Sequence, residues 1–398
     1  MAKGLTSLKG CVNKSVPLFR KIIGFVVILL TLGFPRFPNT DIPLLLLIAP
    51  MYYKQIYAVY KYGRMRSYIF IFILFLFIAF GNMCWIYGAG SSLIDIKFFA
   101  TITIKIILNC IAGIIIAHEY VKNRISILLW VVLQSFLALS AAMSDSIYFF
   151  LIKFISASSA EVFSDIFGLR TVGFGLYHVD GAVIIMLVAI FLINDYIKSS
   201  PAKLTIFFVS CVASIAMARS SLIVIGLYLI SSAPLFFCVV GGVFYVTAPY
   251  LLELVDLGGT GILYEALEPF NNYILYGEFS TKSTNANMNM FVFPDKISDL
   301  IWGYGRFFEA PGEFFKNTDL GWIRLLLFGG APLCLLFLAL NTFWVACAWR
   351  YARDYKDRYF VILVSTLFIV LNFKGIQYIT FLGMFCYVYY RYKNRTPD

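Results

Sequence analysis

The sequence predicts an all-α polytopic membrane protein of about twelve transmembrane helices, with two larger segments on its outer face. Three observations carry that prediction. The 398 residues are 61% hydrophobic and only 13% charged, with a mean hydropathy of +0.84, far from the composition of a soluble globular chain. Apolar runs approach the roughly 20 residues needed to cross about 30 Å of hydrocarbon. Twenty of the 32 Lys and Arg residues fall in six short segments between those runs, and such segments mark the cytoplasmic side.

The first basic segment holds Lys3, Lys9, Lys14, Arg20 and Lys21, so the chain starts inside and its first crossing, 18–34, runs outward. Pro35-Arg36-Phe37-Pro38 follows without a small-residue cleavage site, which predicts a retained helix and not a removed signal peptide. The second crossing, 42–60, returns to Lys54, Lys61, Arg64 and Arg66. Crossings at 68–87 and 98–117 lead to Lys122 and Arg124, and those at 125–144 and 179–197 lead to Lys198 and Lys203. Next come 204–218, 221–234 and 236–252. Ser220 to Leu252 is 33 uncharged residues, about 50 Å as one helix, and a break near Ser231-Ser232-Ala233-Pro234 divides it in two. Parity selects the break, because a single helix would turn Arg350, Arg353, Lys356, Arg358 and the cluster Arg391, Lys393, Arg395 outward. Crossings at 323–346, 359–373 and 376–390 complete the set, with both termini cytoplasmic. The chain thus divides into helices within 1–144, a first outer segment at 145–178, helices within 179–252, a second outer segment at 253–322, and the last helices and tail within 323–398.

The net charge of +11 resolves by location: the six cytoplasmic segments hold twenty cations against five acids, and the remainder is acidic, at −4. Basicity here reflects topology and contact with anionic membrane lipid, and no nucleic-acid partner is expected. Eight cysteines are scattered with no Cys-x-x-Cys and no Cys/His cluster, as befits small core hydrophobes. Neither zinc-site spacing nor a Walker A pattern occurs, so no metal and no cofactor are expected.

Cations on the outer side run against the topology and each needs a reason. Arg170 stands in Gly168-Leu-Arg-Thr-Val-Gly173-Phe-Gly175-Leu-Tyr-His178, just before the sixth crossing. Glycines permit tight turns there, and a guanidinium beside free N–H groups near a helix start suits a phosphate or diphosphate; an interface anchor is the plainer reading. Arg219, in Met217-Ala-Arg-Ser-Ser221, lies at a turn between two apolar helices, where a guanidinium needs either an anion or an intramolecular partner. A third group is Trp302-Gly303-Tyr304-Gly305-Arg306, then Lys316-Asn-Thr-Asp319-Leu-Gly321, ahead of a crossing that opens with Arg324. Arg306 there either meets an anion or bridges to Asp319. Lys282, and Lys374 at the last outer turn, are further candidate cations, while Lys105 and Lys153 read as snorkelling side chains and His118 as a bystander. The second outer segment, with ten acids and four cations, is rich in Asn, Gly and aromatic residues such as Asn271-Asn272-Tyr273. Amides beside aromatic faces suit sugars, and a solvated loop is the plainer alternative.

In this order, within a twelve-crossing frame, these residues resemble the O-antigen polymerase (Wzy) family and, more distantly, the O-antigen ligases. The resemblance covers residues 165–346 and rests on three patterns: Arg170 with Gly173 leading through His178 into a helix; the Ala-Arg-Ser turn at 218–220; and Gly303-Tyr-Gly305, then Asp319-Leu-Gly321, then Phe328-Gly329-Gly330. Arg170 and Gly181 also keep the Arg-x10-Gly spacing of such polymerases, whereas Arg306 lacks its counterpart because position 317 is Asn.

The resemblance implies a GT-C-like, metal-independent glycosyltransferase at the outer face of the bacterial inner membrane, working on oligosaccharides carried by undecaprenyl diphosphate. The growing chain would move from its lipid onto a hydroxyl of a new repeat unit, with the diphosphate leaving. Arg170 and Arg219 would then hold the diphosphate, with Arg306, Lys282 and Lys374 as further substrate-binding cations, and a base is needed near the acceptor hydroxyl. The related ligases have a His where this chain has Asp319, so Asp319 and His178 are both candidate bases. A carboxylate serves if its surroundings raise its pKa. Regulated chain length in the family implies a co-polymerase partner. A lipid-linked oligosaccharide flippase and an O-antigen ligase are the alternatives: outer segments of 34 and 70 residues over short cytoplasmic loops argue against the first, and Asp319 argues against the second.

Overall fold

The computed structural model describes residues 17–87, 92–165, 167–232, 268, 272–273, 276–278, 281, 285, 288–310 and 312–394. They are mainly helical: α1 (Leu18–Thr31), α2 (Leu45–Ile48), α3 (Tyr53–Tyr62), α4 (Met65–Tyr87), α5 (Leu93–Lys122), α6 (Arg124–Met143), α7 (Asp145–Leu151), α8 (Ala157–Ser164), α9 (His178–Asp195), α10 (Ser200–Met217), α11 (Ser221–Ser232), α12 (Ile297–Trp302), α13 (Gly321–Trp349), α14 (Tyr355–Leu371) and α15 (Thr380–Lys393). One short antiparallel hairpin, β1 (Phe308–Ala310) with β2 (Glu313–Phe314), is the sheet among the described residues.

Among those residues six helices, α4, α5, α6, α9, α10 and α13, are long and apolar enough to cross a bilayer, so the chain is a helical, multi-pass membrane protein. The first expected crossing is the 14-residue α1. The second is not one helix: α2, a 3-10 turn at Ala49–Tyr52 and α3 follow one another, because Pro50 offers no N–H to an α-helical ladder. The last two expected crossings are α14, of 17 residues, and α15, of 14. α11 is described as far as Ser232; the rest of the expected break, the expected crossing at 236–252 and most of 253–287 lie outside the described residues.

Two compact units divide the chain, 1–51 with 115–280 and 52–114 with 281–398. In the first, α1, α6, α9 and α10 pack on one another, and α9 is buried along most of its length, as an all-apolar helix in the middle of a bundle should be. At one end of this unit Asp195 accepts a hydrogen bond from Tyr120 at 2.6 Å and pairs with Arg124 at 3.3 Å. At the other end, the expected first outer segment folds as α7, a 3-10 turn and α8 over the end of α6. Its core includes Ala141, Tyr148, Leu151, Ile155, Phe163 and Val172. Tyr148 donates to the Phe163 carbonyl at 2.7 Å, and burial pushes its phenol up to about 12.

The second unit is built on α13, against which α4, α12, α14 and α15 pack. Asn341, buried in α13, accepts from the Ile379 N–H (3.2 Å) and the Thr380 hydroxyl (2.9 Å) and so fixes the start of α15. At the far end of α15, Lys393 pairs with Asp357 at 2.9 Å. α13 is kinked: Gly330 has φ 69° and ψ −174°, and Pro332 follows inside the helix. That kink is what positions the group described next.

Candidate functional site

Each unit holds one constellation, and each gathers helix ends that the sequence places on the outer side. In the first unit the stretch after Gly168 is pinned from three directions. Gln134 of α6 receives the Phe174 N–H at 2.9 Å and donates to the Phe174 carbonyl at 3.1 Å. Thr171 donates its hydroxyl to the Ala138 carbonyl and its N–H to the Ala216 carbonyl, the latter at 3.2 Å. A Cβ on Gly175 (φ +74°) would lie 2.5 Å from Pro35 Cα, and one on Gly173 would lie 2.6 Å from Gln134 Oε1. These close approaches, more than flexibility, account for the two glycines. Gly181 serves the same packing: its absent Cβ would sit 3.0 Å from Leu176.

Arg170, half-buried, therefore emerges one residue before a backbone bond to the end of α10, three residues from Arg219. The structure thus brings together the two segments that carry the expected diphosphate cations. Arg219 sits in the sharp turn between α10 and α11, closed by the Ser221 hydroxyl donating to the Ala218 carbonyl at 2.9 Å. Its guanidinium pairs with Glu268, and both side chains are largely buried. Of the two readings of Arg219, the intramolecular partner is present, and any bound anion would share the guanidinium with Glu268. His178 opens α9 with φ +53°, in the left-handed region that non-glycine residues rarely enter. Its ring stands edge-on to Phe163 at 6.4 Å between centroids.

In the second unit the kink of α13 organises everything. Pro332 has no N–H for the Phe328 carbonyl, and the turn at Gly330 frees that of Leu327. Gly305 and Tyr304 supply the missing donors, at 3.0 and 2.5 Å. Their approach is so close that a Cβ on Gly303 would lie 2.6 Å from the Phe328 oxygen, and one on Gly330 would lie 2.0 Å from the Ile301 oxygen. The Gly303-Tyr-Gly305 and Gly329-Gly330 patterns are thus two sides of one contact. Arg306, which follows directly, lies 4.0 Å from Glu309.

Beyond it, Asp95 at the start of α5 is fully buried and receives the N–H groups of Phe307 (2.8 Å) and Phe308 (3.1 Å). The same carboxylate caps its own helix through the N–H and hydroxyl of Ser92, at 2.9 and 2.8 Å. Lys316, at φ +53°, lies over the Tyr304 ring at 4.6 Å. Asp319, two residues ahead of α13, pairs with Arg324 at 3.2 Å and not with Arg306. Burial raises the Asp319 carboxyl above its ordinary value, and Arg324 opposes that shift only in part. Lys374 is half-buried in a turn that meets the same place: a Cβ on Gly321 would lie 2.4 Å from the Gly375 oxygen, and Trp322 donates its N–H to the Asn372 carbonyl at 3.2 Å. Lys282 lies outside the described residues.

Four residues carry more of these sites than the sequence alone assigns: Gln134, Asp95, Glu268 and Arg324. Gln134 had a signal, a lone amide in an apolar crossing, and so did Asp95, which ends a Ser-x-x-Asp capping box. Glu268 is 49 residues from Arg219, and no local pattern joins them. Among the described residues no three His, Cys, Asp or Glu side chains come together. Comparison of the chain with protein-family models, with curated proteins and with solved structures finds no match.

Proposed function

We propose that the chain is an O-antigen polymerase, a multi-pass inner-membrane glycosyltransferase that extends oligosaccharides on undecaprenyl diphosphate at the outer face. What supports this reading most is the hydrogen bond from Thr171 to Ala216, which sets the Arg170 segment beside the Arg219 turn. Two cations on adjacent backbone suit a diphosphate leaving group, whose charge grows as the glycosidic carbon detaches. A carboxyl raised by burial at Asp319 suits removal of a proton from a sugar hydroxyl near neutral pH. In this chemistry the acceptor oxygen bonds to the donor's anomeric carbon, its proton passes to Asp319, and the carbon–oxygen bond to diphosphate breaks with its electron pair. Arg306, Lys374 and Lys282 are further candidate substrate-binding cations, and a chain-length co-polymerase is the protein partner.

Cells lacking the protein should make lipopolysaccharide capped with a single repeat unit, and Arg170→Ala or Arg219→Ala variants still present in the membrane should do the same. Long ladders from either variant would remove that residue from the site. Loss of even the first unit in the null strain would point instead to a flippase or a ligase.

A further inference from the structure

The most unusual side chain of the second unit is Arg324. Its side chain is 6% exposed, in the first turn of α13, and one nitrogen, Nη1, holds Asp319 Oδ1. The guanidinium carbon lies 4.0 Å from the centroid of Phe314, 4.6 Å from Phe98, 5.5 Å from Phe308 and 6.0 Å from Phe307. Those rings lock one another: Phe98 packs edge-on to both Phe307 and Phe308, and Phe307 stacks on Phe328 at 4.0 Å. The hairpin that carries them is tied down by Asp95 and by the Phe315 N–H donating to the Phe307 carbonyl at 3.0 Å. The guanidinium cannot swing away without dismantling that box.

A charge costs much to bury, and its Nε and Nη2 have no hydrogen-bond partner among the described residues. A mere structural cation would have been satisfied on every edge or replaced by an apolar residue. What the arrangement secures is one contact, that of Nη1 with Oδ1. The other carboxylate oxygen of Asp319 has no hydrogen bond among the described residues, and the side chain is 48% exposed.

We propose that Arg324 is a positioning residue for sugar transfer: it grips Asp319 through Oδ1 and leaves Oδ2 aimed at the acceptor hydroxyl. This rests on the polymerase reading with Asp319 as the base. The hydroxyl proton goes to Oδ2, the freed oxygen pair attacks the anomeric carbon, and the diphosphate departs with the electrons of the bond it leaves. The phenylalanine box supplies rigidity, because a carboxylate held by one fixed donor keeps its second oxygen in place through the reaction.

The groups around the pair define what pH should do. Arg324 is the cation on Asp319, and Tyr378, from the turn before α15, faces the guanidinium. Lys105 of α5 lies over Tyr378, and Lys316 over Tyr304. Arg306 and Glu309 neighbour each other, Glu313 lies on the hairpin, Lys374 on the turn beside Gly321, and Asp95 is saturated by its four donors.

The test uses full-length protein reconstituted with membranes from cells lacking it, which hold their own lipid-linked repeat units, and follows ladder formation against pH. Arg324→Gln should lower turnover on the order of 10- to 100-fold with little change in KM, and should move the acid limb up by about one pH unit or more, since the favourable charge is gone. Arg324→Lys should return the limb to its original place while turnover stays reduced, because a point charge does not replace the fork. A slow Arg324→Gln protein with an unmoved limb would overturn the proposal, as would Arg324→Lys turning over like the parent. Should Arg324→Gln fail to fold, the Lys variant decides alone by the same two readings. Asp319→Asn still making long ladders would be a separate result, removing Asp319 as the base and the present role with it.

Discussion

Replacing Gly330 by Ala tests whether the kink of α13 builds the second constellation. The backbone there, φ 69° and ψ −174°, lies in a region essentially reserved for glycine, so an alanine begins with a conformational cost of about 1–3 kcal/mol. Its Cβ would stand 2.0 Å from the Ile301 oxygen and 2.4 Å from the Ile301 carbon, backbone atoms that cannot rotate aside. Ile301 to Gly305 must therefore retreat, parting the Tyr304–Leu327 and Gly305–Phe328 hydrogen bonds. Each of the two carbonyls left unsatisfied costs about 1–3 kcal/mol, and together these effects reach the order of 3–9 kcal/mol, a large part of a typical folding free energy. Unfolding in mixed micelles by rising SDS, followed by tryptophan fluorescence, reports directly through Trp302 and Trp322 beside the contact. Gly81→Ala is the matched control, since its added Cβ meets nothing within 4 Å and a helical alanine should gain up to about 1 kcal/mol. The Gly330→Ala midpoint should fall well below parent and control, and cells carrying it should make shortened ladders. Equal midpoints for the two alanine variants would refute the reasoning.

Three further predictions follow from single contacts. Arg219→Ala should destabilise the protein by about 3–5 kcal/mol, because Glu268 stays buried without its cation. Adding Glu268→Ala should recover much of that stability in an unfolding double-mutant cycle while ladders remain single-unit, which separates the structural from the substrate role of Arg219. Gln134→Leu keeps the volume but strands the N–H and carbonyl of Phe174; a loss of about 2–5 kcal/mol and shortened ladders are expected, and a parent-like unfolding midpoint would show that the Arg170 segment is held by other means. The raised Asp319 carboxyl makes stability depend on pH: its contribution is complete below the unfolded value, about 3.9, and is lost as pH rises through the higher folded value. Unfolding midpoints measured across that window should decline less in Asp319→Asn than in the parent, and parallel declines would contradict the assignment.

The crossings formed by α4, α5, α6, α9, α10 and α13 were legible because composition and length decide them, with no need of partners. The glycines near Arg170 and Arg306 were visible, but their reason was not: the sequence suggests tight turns beside a bound anion, and the structure gives close backbone approaches to Pro35, Gln134, Leu176 and Phe328. The partner of Asp319 was not legible. Arg306 stands well before it and Arg324 in the helix just after it, and only the hairpin packed on α13 decides that Arg324 turns inward. Similarly, 42–60 reads as a single crossing, yet Pro50 splits it into α2, a 3-10 turn and α3. The role of Glu268 depends on a fold that brings together residues 49 apart.

The contacts of the second unit also bear on which side of the bilayer the starts of α5 and α13 face. Asn82, near the end of α4, donates to the Trp302 carbonyl at 2.8 Å. Asp95, at the start of α5, receives Phe307 and Phe308, and Trp322, at the start of α13, meets Asn372. The starts of α5 and α13 thus share one end of that unit. If α5, α6, α9 and α10 each cross the bilayer, as their lengths and apolar character allow, the chain is back on its starting side after α10. The start of α5, the end of α10 and the start of α13 should then face the same side. Cysteines introduced as Ser92→Cys and Asp319→Cys should react with an impermeant maleimide from the same side of intact cells. Labelling from opposite sides would contradict that placement, because the contacts joining α5 to the hairpin ahead of α13 could not then exist in the membrane.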